Sequence, residues 1–127
     1  MNAVAEEVYD EVAYKASTTM TKFHKSDAFV RALMGPIGSG KSVACCWEIF
    51  RKACQQTPWE DGYRRSRWVV IRNTYRELID TTMETWFDWF PKEMGEYQAG
   101  NMKFILTLPL EDGTTVELEV LFRALDR

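Results

Sequence analysis

The 127-residue chain has one histidine and three cysteines, and no apolar run approaches the length needed to cross a bilayer. Its first residues, with Glu6, Glu7, Asp10 and Glu11, lack the basic and apolar regions of a signal peptide. A cytoplasmic protein without a membrane span is therefore expected. With His24 alone and no cysteine pair at ligand spacing, no zinc site is expected. Cys45, Cys46 and Cys54 fall in one stretch that reads as a single helix, where no two can reach disulfide geometry, so they read as small reduced hydrophobes. The formal charge of -3 gives no global field that attracts nucleic acid, so any DNA contact must come from a local patch or a larger assembly. Internal repeats, low-complexity tracts and linkers are absent.

What is present is a globular composition, 46% hydrophobic and 28% charged, on a chain long enough for one domain. Val4, Val8 and Val12 predict a short amphipathic helix at the N-terminus. Phe29 to Met34 reads as a strand, with Arg31 awkward if both faces are buried. From Ser42 to about Gln56, Val43, Cys46, Trp47, Phe50 and Cys54 recur at helical steps. A loop with Pro58, Asp61 and Gly62, carrying Arg64, Arg65 and Arg67, precedes Trp68 to Ile71, a continuous apolar run that predicts a central strand ending at Arg72 and Asn73. Leu78, Met83, Trp86, Phe87 and Phe90 predict a helix stopped by Pro91. Alternation in Phe104 to Leu108 and Val116 to Phe122, around the turn residues Glu111, Asp112 and Gly113, predicts a β-hairpin. The expected class is α/β.

The segment GPIGSGKS carries the chemistry. Gly35, Pro36, Ile37, Gly38, Ser39, Gly40, Lys41 and Ser42 fit the phosphate-binding pattern of glycine, any four residues, glycine, lysine, then serine or threonine. Glycines let successive N–H groups turn inward into an anion-binding nest and leave room for a polyphosphate against the main chain. A helix starting near Ser42 adds unpaired N–H groups, Lys41 can reach the β- and γ-phosphates, and the Ser42 hydroxyl can ligate Mg²⁺. ATP and Mg²⁺ are the expected ligands. Hydrolysis also needs a strand-end carboxylate and a group to orient water. Trp68 to Ile71 ends in Arg72 and Asn73, Glu111 and Asp112 read as a solvated turn, and Arg123 interrupts the approach to Asp126. No convincing catalytic pair is found, so these groups are expected beyond Arg127.

Three lesser candidates stand beside this motif. Arg72, at the strand edge where α/β folds bind ligands, is a candidate phosphate sensor or a structural ion-pair partner. Arg64, Arg65 and Arg67 are candidate DNA-phosphate contacts or a solvated loop, and Arg123 and Arg127 are candidate arginines for a neighbouring subunit's nucleotide or surface residues. The Trp86, Phe87, Trp89 and Phe90 cluster reads as core rather than a base-stacking surface.

The runs FHKSDAFVRALMGPIGSGKS, RWVVIRNTYRELIDTTMETWFDWFP and LPLEDGTTVELEVLFRALDR, in this order, resemble the N-terminal ATPase domain of the large terminase subunit of tailed bacteriophages. The resemblance implies an additional-strand P-loop ATPase fold, here an incomplete parallel-sheet core with a C-terminal hairpin: an N-terminal segment over 1–22, a core over 23–127, and no nuclease domain. It implies that Gly35 to Ser42 bind ATP with Mg²⁺, and that Phe23 lies where such ATPases place adenine contacts, with ordinary packing as the alternative role for its ring. It further implies that the complete protein translocates double-stranded DNA into a procapsid in the bacterial host, as a homo-oligomeric ring working with the portal and the small subunit. Family members carry their metal-binding aspartate and catalytic glutamate after a segment like FRALDR, which leaves hydrolysis by this chain an open matter. A small P-loop kinase and a non-catalytic nucleotide-binding protein are the other readings; the lack of an Asn-Lys-x-Asp motif counts against a GTPase.

Overall fold

The computed structural model describes residues 16–36 and 40–126. Helix α1 (Thr18–Lys25) starts on Ser17, whose hydroxyl accepts from the Met20 N–H at 3.3 Å, and turns Met20 and His24 inward. Helix α2 (Lys41–Cys54) follows Gly40. Strand β1 (Tyr63–Arg72) leads to α3, residues 75–89, which is α-helical over Tyr75–Glu77, π-helical over Leu78–Met83 and α-helical again over Glu84–Trp89. A 3-10 turn (Lys92–Met94) precedes β2 (Gly95–Gln98), β3 (Lys103–Pro109) and β4 (Thr115–Ala124).

The four strands form one mixed sheet in the order β1-β4-β3-β2. β4 lies parallel to β1, from Tyr63 opposite Thr115 to Arg72 opposite Ala124. It lies antiparallel to β3, with Phe104 opposite Val120, closing the predicted hairpin, and β3 pairs antiparallel with β2. Strand periodicity explains the layering: Val116, Leu118, Val120 and Phe122 all fall on one face and are fully buried under α2 and α3. Trp47 and Phe50 of α2 meet Trp86 and Phe90, with Phe90 stacked on Phe50 at 5.2 Å and tilted against Trp86 at 4.6 Å. The aromatic cluster at the end of α3 is therefore core: Trp86 and Phe90 are fully enclosed, a burial worth about 1.5–3 kcal/mol for a side chain such as Phe, and Phe87 and Trp89 pack against them half-buried.

Three expectations change. Phe29 to Met34 forms no strand, and Phe29, Val30 and Met34 are exposed. A strand needs a neighbouring ladder, none of the described strands pairs with this segment, and what holds it is the side chain of Arg31. Arg64, Arg65 and Arg67 lie on β1 rather than in a loop, because their carboxylate partners are supplied across the chain. Helix α1 and the short β2 lie outside the sequence pattern; β2 opens on Gly95, where a Cβ would run into the Ile105 carbonyl oxygen. The predicted Val4–Val12 helix lies outside the described residues.

Candidate functional site

Gly40 adopts φ 88° and ψ 13°, a left-handed conformation open to glycine, and hands the chain directly into α2. A Cβ there would meet nothing within 4 Å, so backbone conformation, not space, selects the glycine. Gly40 at the N-cap has no side chain to cap α2, and a helix start of this kind carries N–H groups that a ligand can accept from. Lys41 folds back over the loop: its Nζ donates to the Gly35 carbonyl at 2.6 Å and the Pro36 carbonyl at 3.1 Å. Ile37, Gly38 and Ser39 lie outside the described residues.

Beside this turn is a cavity of about 290 Å³, walled by Leu33, Cys45, Cys46 and Ile49 on one side and Val70, Ile71 and Thr82 on the other. Among the described residues its polar lining is Lys41, Ser42, Arg72 and Thr82, two cations and two hydroxyls. Such a lining complements an anion. The structure thus brings together Lys41 and Ser42 from the start of α2 with Arg72 from the end of β1. Arg72 donates through Nη2 to Glu77 Oε2 at 2.7 Å, and this pairing with Thr74's hydrogen bond holds the Glu77 carboxyl below its usual range. Glu77 in turn accepts from Thr74 Oγ1 at 3.1 Å while its own N–H donates to that hydroxyl, a reciprocal cap at the start of α3.

Phe23 is not part of the cavity lining. Its ring is covered by the Arg31 guanidinium at 4.8 Å and met edge-on by His24. Behind it lies a buried network that no motif announced: Glu48 of α2 accepts from His24 Nδ1 at 2.9 Å, pairs with Arg31 at 2.5 Å, and has Arg51 at 3.5 Å. The signal was an arginine inside an apolar run and a glutamate between Trp47 and Ile49 on a nearly buried helix; each charge is costly alone and satisfied by the other.

Arg64, Arg65 and Arg67, in the first half of β1, are internally neutralised. Arg64 pairs with Asp112, Arg65 with Asp61 and Glu117, and Arg67 with Glu119, which also holds Lys103. The cavity of about 410 Å³ on this outer sheet face, lined by Arg65, Arg67, Glu117 and Glu119, is charge-balanced and offers no preference for an anion. Asp112 also accepts from the Thr114 N–H and hydroxyl, and Asp126 accepts from the Tyr75 N–H at 3.0 Å, so both carboxylates serve turns and chain ends. Arg123 donates to the carbonyls of Asn101 and Phe122.

No known family profile matches the sequence, and no curated protein matches it either. Among solved structures, the chain is similar to the large terminase ATPase domain of Thermus phage P74-26, with a TM-score of 0.63 and 16% sequence identity. The chain shares the fold of a phage terminase ATPase domain. The likeness covers 100% of this chain and 53% of that one, so the chain spans about half the length of the terminase domain. In this terminase-like fold the anion-complementary cavity sits where α2, β1 and α3 meet. Among the described residues no helix is long and apolar enough to cross a membrane.

Proposed function

We propose that the chain is the ATP-binding portion of a viral DNA-packaging motor, the large terminase subunit. The observation that carries this reading is the convergence of Lys41, Ser42 and Arg72 on one cavity at the N-terminus of α2. The terminase-like fold supports it, as does the glycine, lysine and serine pattern of residues 35–42.

On this reading the phosphates lie across the main-chain N–H groups of Gly35 to Ser42 and the positive end of α2. Lys41 exchanges the carbonyls of Gly35 and Pro36 for phosphate oxygens, an easy exchange because both acceptors are neutral and exposed. Ser42, at the first turn of α2 and on the cavity wall, is the residue that would hold Mg²⁺ together with the phosphates; the ion supplies charge neutralisation there. The wider role proposed is that of the whole motor: ATP hydrolysis coupled to movement of double-stranded DNA into a procapsid, by a homo-oligomeric ring working with portal and small subunit in the host cytoplasm. The balanced charges of the β1 arginines favour DNA contacts made by other surfaces of that assembly.

Titration calorimetry of MgATP against wild type and Lys41→Ala tests the reading. The variant should lose affinity by about ten- to a hundred-fold, the value of a charge-assisted contact, with an unchanged circular dichroism spectrum. Equal affinity in the two proteins overturns it.

A further inference from the structure

The geometry points to Arg72 and Glu77 as a latch that responds to the terminal phosphate of a bound nucleoside triphosphate. This inference rests on the phosphate-binding reading of the cavity and adds to it a built-in competitor. Lys41 and Arg72 reach the same cavity from different elements, and each is satisfied by an internal acceptor. The two acceptors differ in kind. Lys41 holds backbone carbonyls, which are neutral, whereas Arg72 holds a carboxylate, which competes with an incoming anion charge for charge. Lys41 and the amides at the start of α2 take the phosphates nearest the glycine-rich turn, and the guanidinium on the β1 wall meets the one that projects furthest. A terminal phosphate offers Arg72 two oxygens in fork geometry against the single Nη2 to Oε2 contact that Glu77 provides.

Glu77 is not a passive partner. It closes the reciprocal cap with Thr74 at the start of α3, and the same helix carries Thr82 into the cavity lining. Losing Arg72 leaves Glu77 with Thr74 alone, so the number of phosphates in the cavity is felt at the first turn of α3.

Calorimetry with MgATP and MgADP on wild type, Arg72→Ala and Glu77→Gln tests the latch. Glutamine keeps an acceptor for the Thr74 hydroxyl and removes the competing charge. Glu77→Gln should tighten MgATP about two- to five-fold and leave MgADP unchanged, as expected for an exposed ion pair removed from competition. Arg72→Ala should weaken MgATP about ten-fold and bring the two affinities together. If both variants keep the wild-type ratio of MgATP to MgADP affinity, while Lys41→Ala loses both nucleotides, the latch is wrong and the phosphate site stands. If wild type binds neither nucleotide, the cavity reading fails and the latch with it. Should Arg72→Ala not fold, Glu77→Gln decides alone.

Discussion

Arg31 joins three parts of the chain through one guanidinium: Nη2 pairs with Glu48 Oε2 on α2 at 2.5 Å, and Nη1 donates to the Phe23 carbonyl on α1 at 2.7 Å. The segment entering the glycine-rich turn is thus held by a side chain rather than by strand pairing. Glu48 is the acceptor at the centre. Burial pushes its carboxyl up, but the hydrogen bonds from His24 and Arg31 and the charges of Arg31 and Arg51 outweigh it, so it titrates below the usual range.

That direction fixes a pH dependence. The folded state holds Glu48 ionised more tightly than the unfolded chain does, so its contribution is complete above about pH 4.3 and is lost as the pH falls toward the depressed folded value. Urea midpoints measured from pH 6 to pH 3 should fall for wild type, and Glu48→Gln should fall less over that window. The variant should also start lower by about 3–5 kcal/mol, because three cationic or donor partners then face a neutral group. A parallel pair of pH curves would remove Glu48 from this role.

Phe90 has 1% of its surface exposed and touches Trp47, Phe50 and Trp86. Phe90→Ala should cost about 3–5 kcal/mol in denaturant unfolding, the range for a fully enclosed aromatic side chain. A loss below about 1 kcal/mol would mean that the end of α3 is not seated on α2 as described.

Gly95 and Gly100 make a matched pair. A methyl at Gly95 runs into the Ile105 carbonyl oxygen, whereas one at Gly100 meets nothing within 4 Å. Gly95→Ala should destabilise by about 1–3 kcal/mol and raise amide exchange across β2, while Gly100→Ala leaves both near wild type. Equal effects from the two substitutions would contradict the β2 to β3 register.

The three thiols should separate by accessibility. Cys46 and Cys54 are buried, and burial pushes both up to about 12; Cys45 is exposed and lines the cavity, its thiol raised by partial burial and by the Glu48 charge. Brief alkylation of the native protein, read by peptide mass spectrometry, should modify Cys45 alone, faster at alkaline pH. MgATP should slow it. Labelling unaffected by saturating MgATP would separate Cys45 from the nucleotide.

Helix α2, the core of β1, α3 and the hairpin were legible because each carries its own period: three- and four-residue apolar steps in Val43 to Cys54, alternation in Val116 to Phe122. β1 begins at Tyr63 rather than Trp68 because Arg64, Arg65 and Arg67 look like loop residues until β4 supplies Glu117 and Glu119 opposite them. Phe29 to Met34 misled for the converse reason: its composition suits a strand, but pairing is a property of the neighbours, and here Arg31 turns to Glu48 instead. At the candidate site the glycine, lysine and serine spacing was visible directly. The presence of Arg72 beside Lys41 depended on where β1 ends in space, and Glu77 and Thr82 could be found only through that topology.

The π-helical stretch Leu78–Met83 carries a constraint of its own. Hydrogen bonds spanning five residues accommodate roughly one surplus residue relative to an α-helix, and that surplus turns everything downstream by about 100° around the axis. Thr82, inside this stretch, lines the cavity, and the residues downstream of it set Trp86 and Phe90 into the aromatic cluster. Chain length between 78 and 83 is therefore held more tightly than residue identity. Conservative exchanges there are absorbed locally, but excising a single position rewinds the helix and swings both rings off their seats.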